Sequence, residues 1–494
     1  MPGVVISTAV RTGPSSATVR ESSQLFVVGT ASKGKTDAPV LIESLAEFEN
    51  MFGGFVSTSY LQPTVETFFE EGGTSCYVQR VVGTSAATAT KTLNTGTGGS
   101  ASVAMTLTAN GSGVWANGAA AGLSVVVTQP SAGVNFSIQL SLNSVLVYST
   151  GTCTSVNQAV GRINTSAVAS QYATAAVTNA LGSTLLAVAA SGNFAGGVDG
   201  SAPTDAQTVT ALGLFNGALG TGAVSSPDNY SSTVREAMIT HCNTNSRIAI
   251  FHTASGTSTA GALADALTLQ AQDHAEHCAL YYPWVSVPSG VAGVTRSIPP
   301  DGYVAAKRAL AHNQTGSHVP AAGLLSASRF VTGTELDINK ATGDELDAGS
   351  VNPIRVIQNT VRIYGARSLS SDIDNFRYIT SQDTVNHIVV EAGRTLEDLV
   401  FSSIDGRNTI FSSIESRLIS ILAPLRDIGA LYEAFDANGR KLDSGYTVRC
   451  DSALNPTSQL AEGTIKAKVG VRTSTVGDKI EIDIVKSNLT ASVV

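Results

Sequence analysis

The chain has 494 residues, of which 43% are hydrophobic and 14% charged, so it is long enough for about three domains and can bury large cores. Its 38 acidic and 30 basic side chains give a formal net charge of −8, which leaves no basic excess for binding phosphates or anionic lipid. These numbers exclude a charge-rich disordered polymer and disfavour nucleic acid and membrane surfaces as partners.

The five cysteines lie far apart in the sequence, form no C-x-x-C pair and cannot all pair within one chain, because their number is odd. We therefore expect reduced thiols and a protein made in a reducing compartment. The N-terminus has no basic region ahead of an apolar core, and no apolar run approaches the ~18 residues that span a bilayer. The sequence thus predicts a soluble protein without a signal peptide.

The chain opens with a β-prone run that ends at a turn-like Arg11-Thr12-Gly13-Pro14 and has no hairpin partner nearby. An isolated strand leaves its backbone groups unpaired unless another sheet, such as that of another subunit, accepts it. We therefore predict that residues 1–20 are an arm that donates a strand to a neighbouring subunit. The residues expected in this exchange are Val4, Val5, Ile6 and Val10.

A strand and a helix follow the arm. The apolar run at residues 25–28 predicts a strand, and the Ser44-x-x-Glu47 pattern is typical of a capping box that starts a helix over residues 45–52. We interpret residues 21–83 as the N-terminal part of an α/β core.

Between this strand and helix lies a full match to the P-loop pattern G-x-x-x-x-G-K-[ST], from Gly29 to Thr36. A nucleotide-binding P-loop needs a helix that starts at its second glycine, so that backbone amides meet the phosphates. Pro39 falls within the first turns of that helix, and the run at residues 40–42 predicts a strand instead. We therefore expect Lys35 to be a solvated loop residue, and a P-loop ATPase stays the alternative function.

Residues 84–198 are set apart by composition, because Lys91 and Arg162 are their only charged side chains. Apolar and polar residues alternate over residues 103–107 and 134–142, the period of a strand with one buried face. Two Asn-Gly pairs supply turns. We expect an inserted β-sandwich rather than a low-complexity spacer.

Strand and helix alternation returns at residues 199–351. A T-x-x-E capping box that starts at Thr233 predicts a helix that leads to an apolar strand at residues 248–251. A helix capped by Ser258 and a strand at residues 279–284 follow. This pattern predicts an α/β middle domain.

Two short patterns in this domain are similar to known catalytic or metal-binding sequences. His274 and His277 lack the H-E-x-x-H spacing and have no third or fourth ligand nearby, and His274 falls on the apolar stripe of the helix through Leu267. We therefore expect His274 to be a core histidine at a helix C-terminus. Gly256-Thr257-Ser258 is similar to the nucleophile segment of subtilisin-like proteases, but no Asp-Thr-Gly segment accompanies it. We predict no catalytic residue, no cofactor site and no metal site.

A third unit begins after residue 351. Seven apolar positions on one face predict a helix over residues 408–425. Alternation of apolar and polar residues predicts two further strands, at residues 465–471 and 480–484. The polar face of the first is basic and that of the second is acidic, which favours antiparallel pairing. Their apolar residues, which we predict to take part in strand exchange between subunits, are Ile465, Val469, Ile480, Ile482 and Ile484. We expect an α+β C-terminal domain at residues 352–479 and a terminal strand and tail at residues 480–494, while the sequence leaves open whether the last strand pairs within or between chains.

Several segments outside residues 84–198 occur in a characteristic order. They are Phe26-Val27-Val28-Gly29-Thr30-Ala31-x-x-Gly34, Leu45-x-x-Phe48-x-x-x-Phe52-Gly53, Gly196-Gly197-x-Asp199-Gly200, Tyr282-Pro283-Trp284-Val285 with Pro299-Pro300-Asp301-Gly302, residues 359–371, and Gly445-Tyr446-x-Val448-x-Cys450-Asp451 with Glu462-Gly463. Together they resemble the contractile tail sheath family of bacteriophages, over nearly the whole chain outside the insert.

The resemblance implies an α+β multidomain protein with extended terminal arms, a protruding β-sandwich insert, an α/β middle domain similar to subtilisin without its triad, and a C-terminal domain that faces a tail tube. It implies a structural protein of the virion tail that is no enzyme and is assembled in the bacterial host cytoplasm. Its expected partners are copies of itself in stacked hexameric rings that form a helical sleeve, together with the tail tube, baseplate and tail terminator proteins. Contraction of the sleeve would drive the tube through the host envelope for genome ejection.

The sequence departs from the family after Gly34, where Lys35-Thr36 stands in place of the usual proline. We interpret the P-loop match as a chance result of this departure. The sheath of a pyocin-like or type VI injection system is a further alternative. The presence of arms and C-terminal domain in one chain argues against the two-protein type VI arrangement.

Overall fold

The computed structural model of the chain describes residues 21–95, 102–118, 121–130, 133–178, 185–291 and 293–478. The first elements confirm the strand and helix predicted after the arm. They are β1 (Leu25–Gly29), β2 (Val40–Ile42), α1 (Leu45–Phe52), α2 (Leu61–Glu70) and β3 (Cys76–Arg80). Ser44 Oγ accepts a hydrogen bond from Glu47 N and so caps α1, whereas the Glu47 carboxylate accepts from Glu43 N rather than from Ser44 N. The arm residues Val4, Val5, Ile6 and Val10 lie outside the described residues.

The described part of residues 84–198 contains two sheets and two α-helices. Their elements are β4 (Thr90–Asn94), β5 (Val103–Ala109), β6 (Leu123–Thr128), β7 (Ser137–Leu142), β8 (Val145–Ser149), α3 (Val156–Thr165), α4 (Ala169–Tyr172), β9 (Ala173–Val177) and β10 (Gly192–Asn193). The sheet orders are β10-β6-β7-β8 and β4-β5-β9. One buried cluster joins both sheets to α3, through residues such as Met105, Ile138 and Ile163. The insert therefore has one core, and α3 is an element that the sequence analysis did not predict.

The largest sheet collects strands from both sides of the insert. The elements after residue 198 are α5 (Asp205–Leu212), β11 (Ala223–Ser225), α6 (Ser232–Asn245), β12 (Ile248–His252), α7 (Thr259–Gln270), β13 (Cys278–Tyr282), β14 (Val285–Pro288), β15 (Thr295–Ile298), α8 (Asp301–Gln314), β16 (Gly333–Thr334), α9 (Lys340–Ala348), β17 (Val351–Ile357) and β18 (Thr360–Ile363). Their order with the first strands is β18-β17-β13-β12-β11-β1-β3-β2, parallel except at the two edges.

Both faces of this sheet are covered, which is typical of parallel strands with continuous apolar sequences. Along β1, Leu25 and Val27 lie in the core on one face, and Phe26 and Val28 lie in the core on the other. All five residues of β12 and of β13 are buried. The sheet is thus the central layer of an α/β unit.

Two helix boundaries differ from the predictions. The N-cap of α6 is Ser231, whose Oγ accepts a hydrogen bond from Val234 N, so the helix starts before Thr233. Helix α7 ends at Gln270 rather than continuing to His274, while the predicted cap at Ser258 is confirmed, because its Oγ accepts from Gly261 N.

The last part of the chain is α+β. Its elements are α10 (Ile373–Phe376), α11 (Ile379–Leu396), α12 (Thr409–Asp427), β19 (Ala434–Phe435), β20 (Lys441–Asp443), β21 (Tyr446–Arg449), α13 (Thr457–Ala461) and β22 (Lys468–Val471). Helix α12 confirms the helix predicted at residues 408–425 and buries the predicted stripe, including Phe411, Leu418 and Leu422. Strand β22 starts at Lys468 rather than Ile465, and Ile480, Ile482 and Ile484 lie outside the described residues.

Helices α11 and α12 pack against each other and against the two-stranded sheet of β21 and β22. Within the described part of the chain, no helix has both the length and the apolar character needed to cross a membrane.

Candidate functional site

The loop that matches the P-loop pattern lies at the point where the order of the parallel strands reverses. Strand β1 pairs with β3 on one side and with β11 on the other, and ligands of α/β proteins bind at the carboxyl ends of strands at such a point. In this chain the side chain of Asp228, which follows β11, lies where such a ligand would bind. Its carboxylate accepts hydrogen bonds from Thr30 N at 2.8 Å, Ser59 Oγ at 2.8 Å and Tyr60 N at 2.5 Å. The loop amide of Thr30 is therefore bound by a carboxylate of the chain itself.

The carbonyl groups of the same loop face a buried arginine. Arg80 donates to Ala31 O at 2.9 Å and to Gly34 O at 3.0 Å in the loop. It also donates to Ser112 O in the insert at 2.8 Å. Burial lowers the pKa of Arg80 to about 10, although the charge of Asp199 opposes that shift. Residues 30–39 contain no helix, and the strand predicted after them is confirmed as β2. This loop is built to bind a guanidinium group through its carbonyls, which is the reverse of a phosphate cradle.

A serine, a histidine and an aspartate meet on the large sheet, although the sequence analysis did not connect them. His252 Nδ1 lies 2.9 Å from Asp301 Oδ1, and Ser225 Oγ donates to Asp301 Oδ2 at 2.6 Å. The serine thus bonds to the carboxylate rather than to the histidine, whereas a nucleophile must transfer its proton to the histidine. All three side chains are buried, and the His252 ring packs against Tyr230 and Trp284. The arrangement therefore ties strands to α8 and does not form a hydrolase triad.

The prediction that His274 is a core histidine is wrong. Its side chain is half-exposed and pairs with Glu276 at 3.5 Å, because α7 ends before it and its backbone is left-handed, with φ of 66°. His277 is the buried residue: its Nδ1 lies 3.0 Å from Arg247 O and its Nε2 lies 3.2 Å from Gln382 Nε2. Burial lowers the pKa of His277. No group of three or more histidine, cysteine or acidic side chains in the described residues is placed to hold a metal ion.

The start of the described chain is held by a buried polar cluster that also binds the C-terminal part. Arg308 on α8 donates to Ser22 O at 2.5 Å and pairs with Asp383 on α11, with Nε to Oδ2 at 3.1 Å. His312 Nδ1 lies 3.1 Å from Ser22 Oγ, and its Nε2 lies 3.5 Å from Asp383. Burial raises the pKa of Asp383, but the charges of Arg308 and His312 outweigh burial and hold it at about 2. One cluster thus joins the base of the predicted arm, the α/β unit and α11.

Of the residues predicted to exchange strands, the described ones are Ile465 and Val469. Val469 pairs with Val448 across the antiparallel sheet of β21 and β22, within the same chain. Ile465 precedes β22 and packs, with Val469, against the buried cluster that contains Ile414 on α12. Both side chains therefore pack against the core of their own C-terminal domain, and the sheet that contains Val469 has two strands within the described residues.

No family model and no curated protein matches the chain. Solved structures do match it along most of its length. The helical sheath of the anti-feeding prophage in its contracted state is 14% identical over 99% of this chain and 99% of that one, with a TM-score of 0.55. The contracted sheath of the extracellular contractile injection system PVC is 14% identical over 99% and 98%, with a TM-score of 0.55. The sheath tail protein of Listeria innocua is 14% identical over 87% and 89%, with a TM-score of 0.58.

The chain has the fold of contractile tail sheath proteins. The matches to the anti-feeding prophage and PVC sheaths cover the insert as well as the parts on either side of it, since they include 99% of the chain. All three matched structures are of sheath proteins.

Proposed function

We propose that the chain is the sheath subunit of a contractile phage tail, which polymerises as stacked hexameric rings around a tail tube and contracts to drive the tube through the host envelope. The observation that carries this proposal is the match over 99% of both chains to a contracted helical sheath. The baseplate and tail terminator proteins are the further partners that such a sleeve needs at its ends.

Strand exchange is the mechanism we propose for joining the subunits. The buried contacts of Ser22 with Arg308 and His312 fix the start of the described chain, directly after the predicted arm, to the α/β unit. Among the described residues the sheet of β21 and β22 has two strands, with Tyr432 N donating to Arg472 O and Ser474 N to Ala430 O just beyond β22, and a two-stranded sheet is marginally stable unless further strands or helices support it. Addition of an arm through Val4, Val5, Ile6 and Val10, and of the terminal strand through Ile480, Ile482 and Ile484, would extend this sheet across subunits.

Contraction by this mechanism needs no nucleotide. If the contracted lattice buries a few hundred additional Å² of apolar surface per subunit, the gain at about 25 cal/mol per Å² is several kcal/mol for each subunit. The loop that matches the P-loop pattern is occupied by Asp228 and Arg80, which supports stored conformational energy over ATP hydrolysis. Shared strands would keep neighbours joined while the domains rotate.

A second candidate is the sheath of a contractile injection system outside phages. The match to the PVC sheath favours it, because that sheath belongs to an extracellular contractile injection system. The two candidates share the sheath mechanism and differ in whether the particle carries a genome.

Electron microscopy of the purified chain tests the shared proposal. We expect the full chain to form hollow sleeves and a variant that lacks residues 1–17 to stay a folded monomer, because the anchoring residue Ser22 is kept. Sleeves of normal length from the truncated chain would refute strand exchange by the arm. A full chain that forms no sleeve under any polymerising condition would refute the sheath function.

A further inference from the structure

Residues 472–478, which follow β22 and end the described chain, form a strap that is held by polar contacts. Ser474 N donates to Ala430 O at 3.0 Å, in the loop that follows α12. Thr473 Oγ1 lies 3.3 Å from Ser381 Oγ in the first turn of α11. The strap therefore runs from the sheet of β21 and β22 to the start of α11.

The far end of the strap is bound by Arg367 and Tyr378, which we call the clamp. Arg367 Nη2 donates to Asp478 Oδ2 at 2.9 Å, and the Tyr378 hydroxyl donates to the same oxygen at 2.7 Å. The hydroxyl bond, and also the charge of Arg367, lowers the pKa of Asp478, although burial opposes the shift. Asp478 is thus held by two groups from different parts of the chain, since Arg367 follows β18 and Tyr378 is the N-cap of α11.

Arg367 has a second carboxylate partner that does not belong to the strap. Asp347 on α9 accepts from it twice, with Nε to Oδ1 at 2.9 Å and Nη2 to Oδ2 at 2.6 Å. A bidentate carboxylate neutralises a guanidinium group, so Arg367 keeps a counter-ion whether or not Asp478 is bound. The Asp478 side chain is 42% exposed, and exposed ion pairs contribute little to stability. The contact with Asp478 therefore fixes the position of the strap and is not needed for charge balance.

The clamp lies away from the sheet that the terminal strand is expected to join. On α11 the sheet of β21 and β22 packs against Ile388, and the ten positions from Tyr378 to Ile388 correspond to about 15 Å. Hairpin loops usually contain about two to five residues, whereas residues 472–479 separate β22 from Ile480. Ile480 comes two residues after Asp478, a distance of at most about 7 Å. The chain has therefore left its own sheet before the predicted terminal strand begins.

We propose that Arg367 and Tyr378 are positioning residues, which hold the base of residues 479–494 where this segment reaches the sheet of β21 and β22 in a second copy rather than in its own subunit. This inference rests on the proposed strand exchange and names the residues that set its geometry. Charge favours the same partner, because the acidic side chains of residues 481 and 483 match the exposed Lys466 and Lys468 of the receiving sheet.

Substitution of the two carboxylates that share Arg367 tests the proposal. In the full chain, Asp478→Ala frees the strap from the clamp, whereas the matched control Asp347→Ala removes the other partner of the same arginine and leaves Asp478 bound. Asp478→Ala should raise the critical concentration for polymerisation roughly tenfold, because a free base lowers the effective concentration of the segment at its acceptor. It should keep the melting temperature of the monomer. Asp347→Ala should leave the critical concentration unchanged.

Spin labels report the position of the base in the monomer, below the critical concentration. The five natural cysteines are buried and react slowly with labelling reagents. Lys340→Cys, at a side chain that is 81% exposed on α9, and Lys479→Cys directly after the clamp should give a narrow distribution of label distances. Adding Tyr378→Phe and Asp478→Ala should broaden this distribution, whereas adding Asp347→Ala should not.

Each outcome decides the proposal. An unchanged or lowered critical concentration for Asp478→Ala, equal rises in both variants, or a broad label distribution with the clamp intact would overturn it while leaving the sheath function intact. A full chain that stays monomeric under every polymerising condition would refute the sheath function, and this positioning role with it.

Discussion

Acidification should destabilise the chain through His241, which lies next to a buried arginine. Arg247 Nη1 donates to His241 Nε2 at 2.8 Å, so this histidine nitrogen must carry a lone pair rather than a proton. Arg247 is fully buried, stacks on Phe26 at 3.8 Å and donates to the carbonyl groups of Phe215, Asn216 and Gly220. No carboxylate among the described residues pairs with it. A proton on His241 would therefore place a second positive charge beside the first.

The magnitude follows from the pKa of His241. Burial, and then the charge of Arg247, lowers this pKa from 6.5 to about 4. In the unfolded chain His241 takes up a proton below its ordinary pKa, whereas in the folded chain it stays neutral. The contribution of His241 to the free energy of unfolding is therefore fully present above pH 6.5 and is lost as the pH drops toward 4. Between pH 7 and pH 5 the loss is about 2 kcal/mol, at 1.36 kcal/mol per pKa unit.

Urea unfolding at pH 7, 6 and 5 checks this value, with His241→Gln as the matched control. The glutamine oxygen can still accept from Arg247 but does not titrate, and His277 is common to both proteins. We expect the wild-type chain to lose about 2 kcal/mol more than the variant between pH 7 and pH 5. Parallel pH dependences of the two proteins would show that His241 is not held neutral by Arg247.

Three further predictions concern the polar cluster, the loop and the insert. Asp383→Asn leaves Arg308 buried without its counter-ion and should lower the free energy of unfolding by ~3–5 kcal/mol in urea, and an unchanged midpoint would contradict this. Lys35→Ala should change stability by less than ~0.5 kcal/mol and leave calorimetric titrations with ATP unchanged, and binding that the substitution abolishes would restore the P-loop interpretation. A chain in which a short linker joins Gly83 to Asp199 should stay soluble and keep the far-ultraviolet circular dichroism bands of the α/β unit. The two ends already lie together, because Ser201 N donates to Thr84 O at 3.0 Å. Insoluble protein would contradict an independently folding insert.

Local periodicity and capping chemistry were sufficient to predict several elements. The apolar stripe of α12 and the cap of α7 at Ser258 each depend on residues that lie close together in the sequence, and both predictions are confirmed. The start of α6 was misplaced because Ser231 and Thr233 both offer a capping hydroxyl, and only the backbone geometry selects Ser231. The end of α7 was misplaced because no glycine or proline follows Gln270 to mark it.

The polar contacts at the candidate sites could not be predicted in the same way. Asp228 lies 198 positions from Thr30, and Asp383 lies 75 positions from Arg308. Nothing in the local sequence of either residue indicates such a distant partner, because the pairing is decided by which strands and helices become neighbours. Helix α3 is not predicted for a different reason: Val156, Ala159 and Ile163 have helical spacing, but the strand pattern of the preceding residues is the stronger signal.

The insert enters and leaves the α/β unit at one place, where the hydroxyl groups of Thr84 and Ser201 lie 2.9 Å apart. A domain attached through two adjacent chain segments can be replaced without lengthening or shortening the path of the parent chain. Its two basic side chains are its only formal charges, so this domain adds mass and friction to the chain while making the net charge less negative by two. A chain with the insert would consequently diffuse more slowly than a chain without it, and it would also move more slowly in an electric field, because electrophoretic mobility is charge divided by friction.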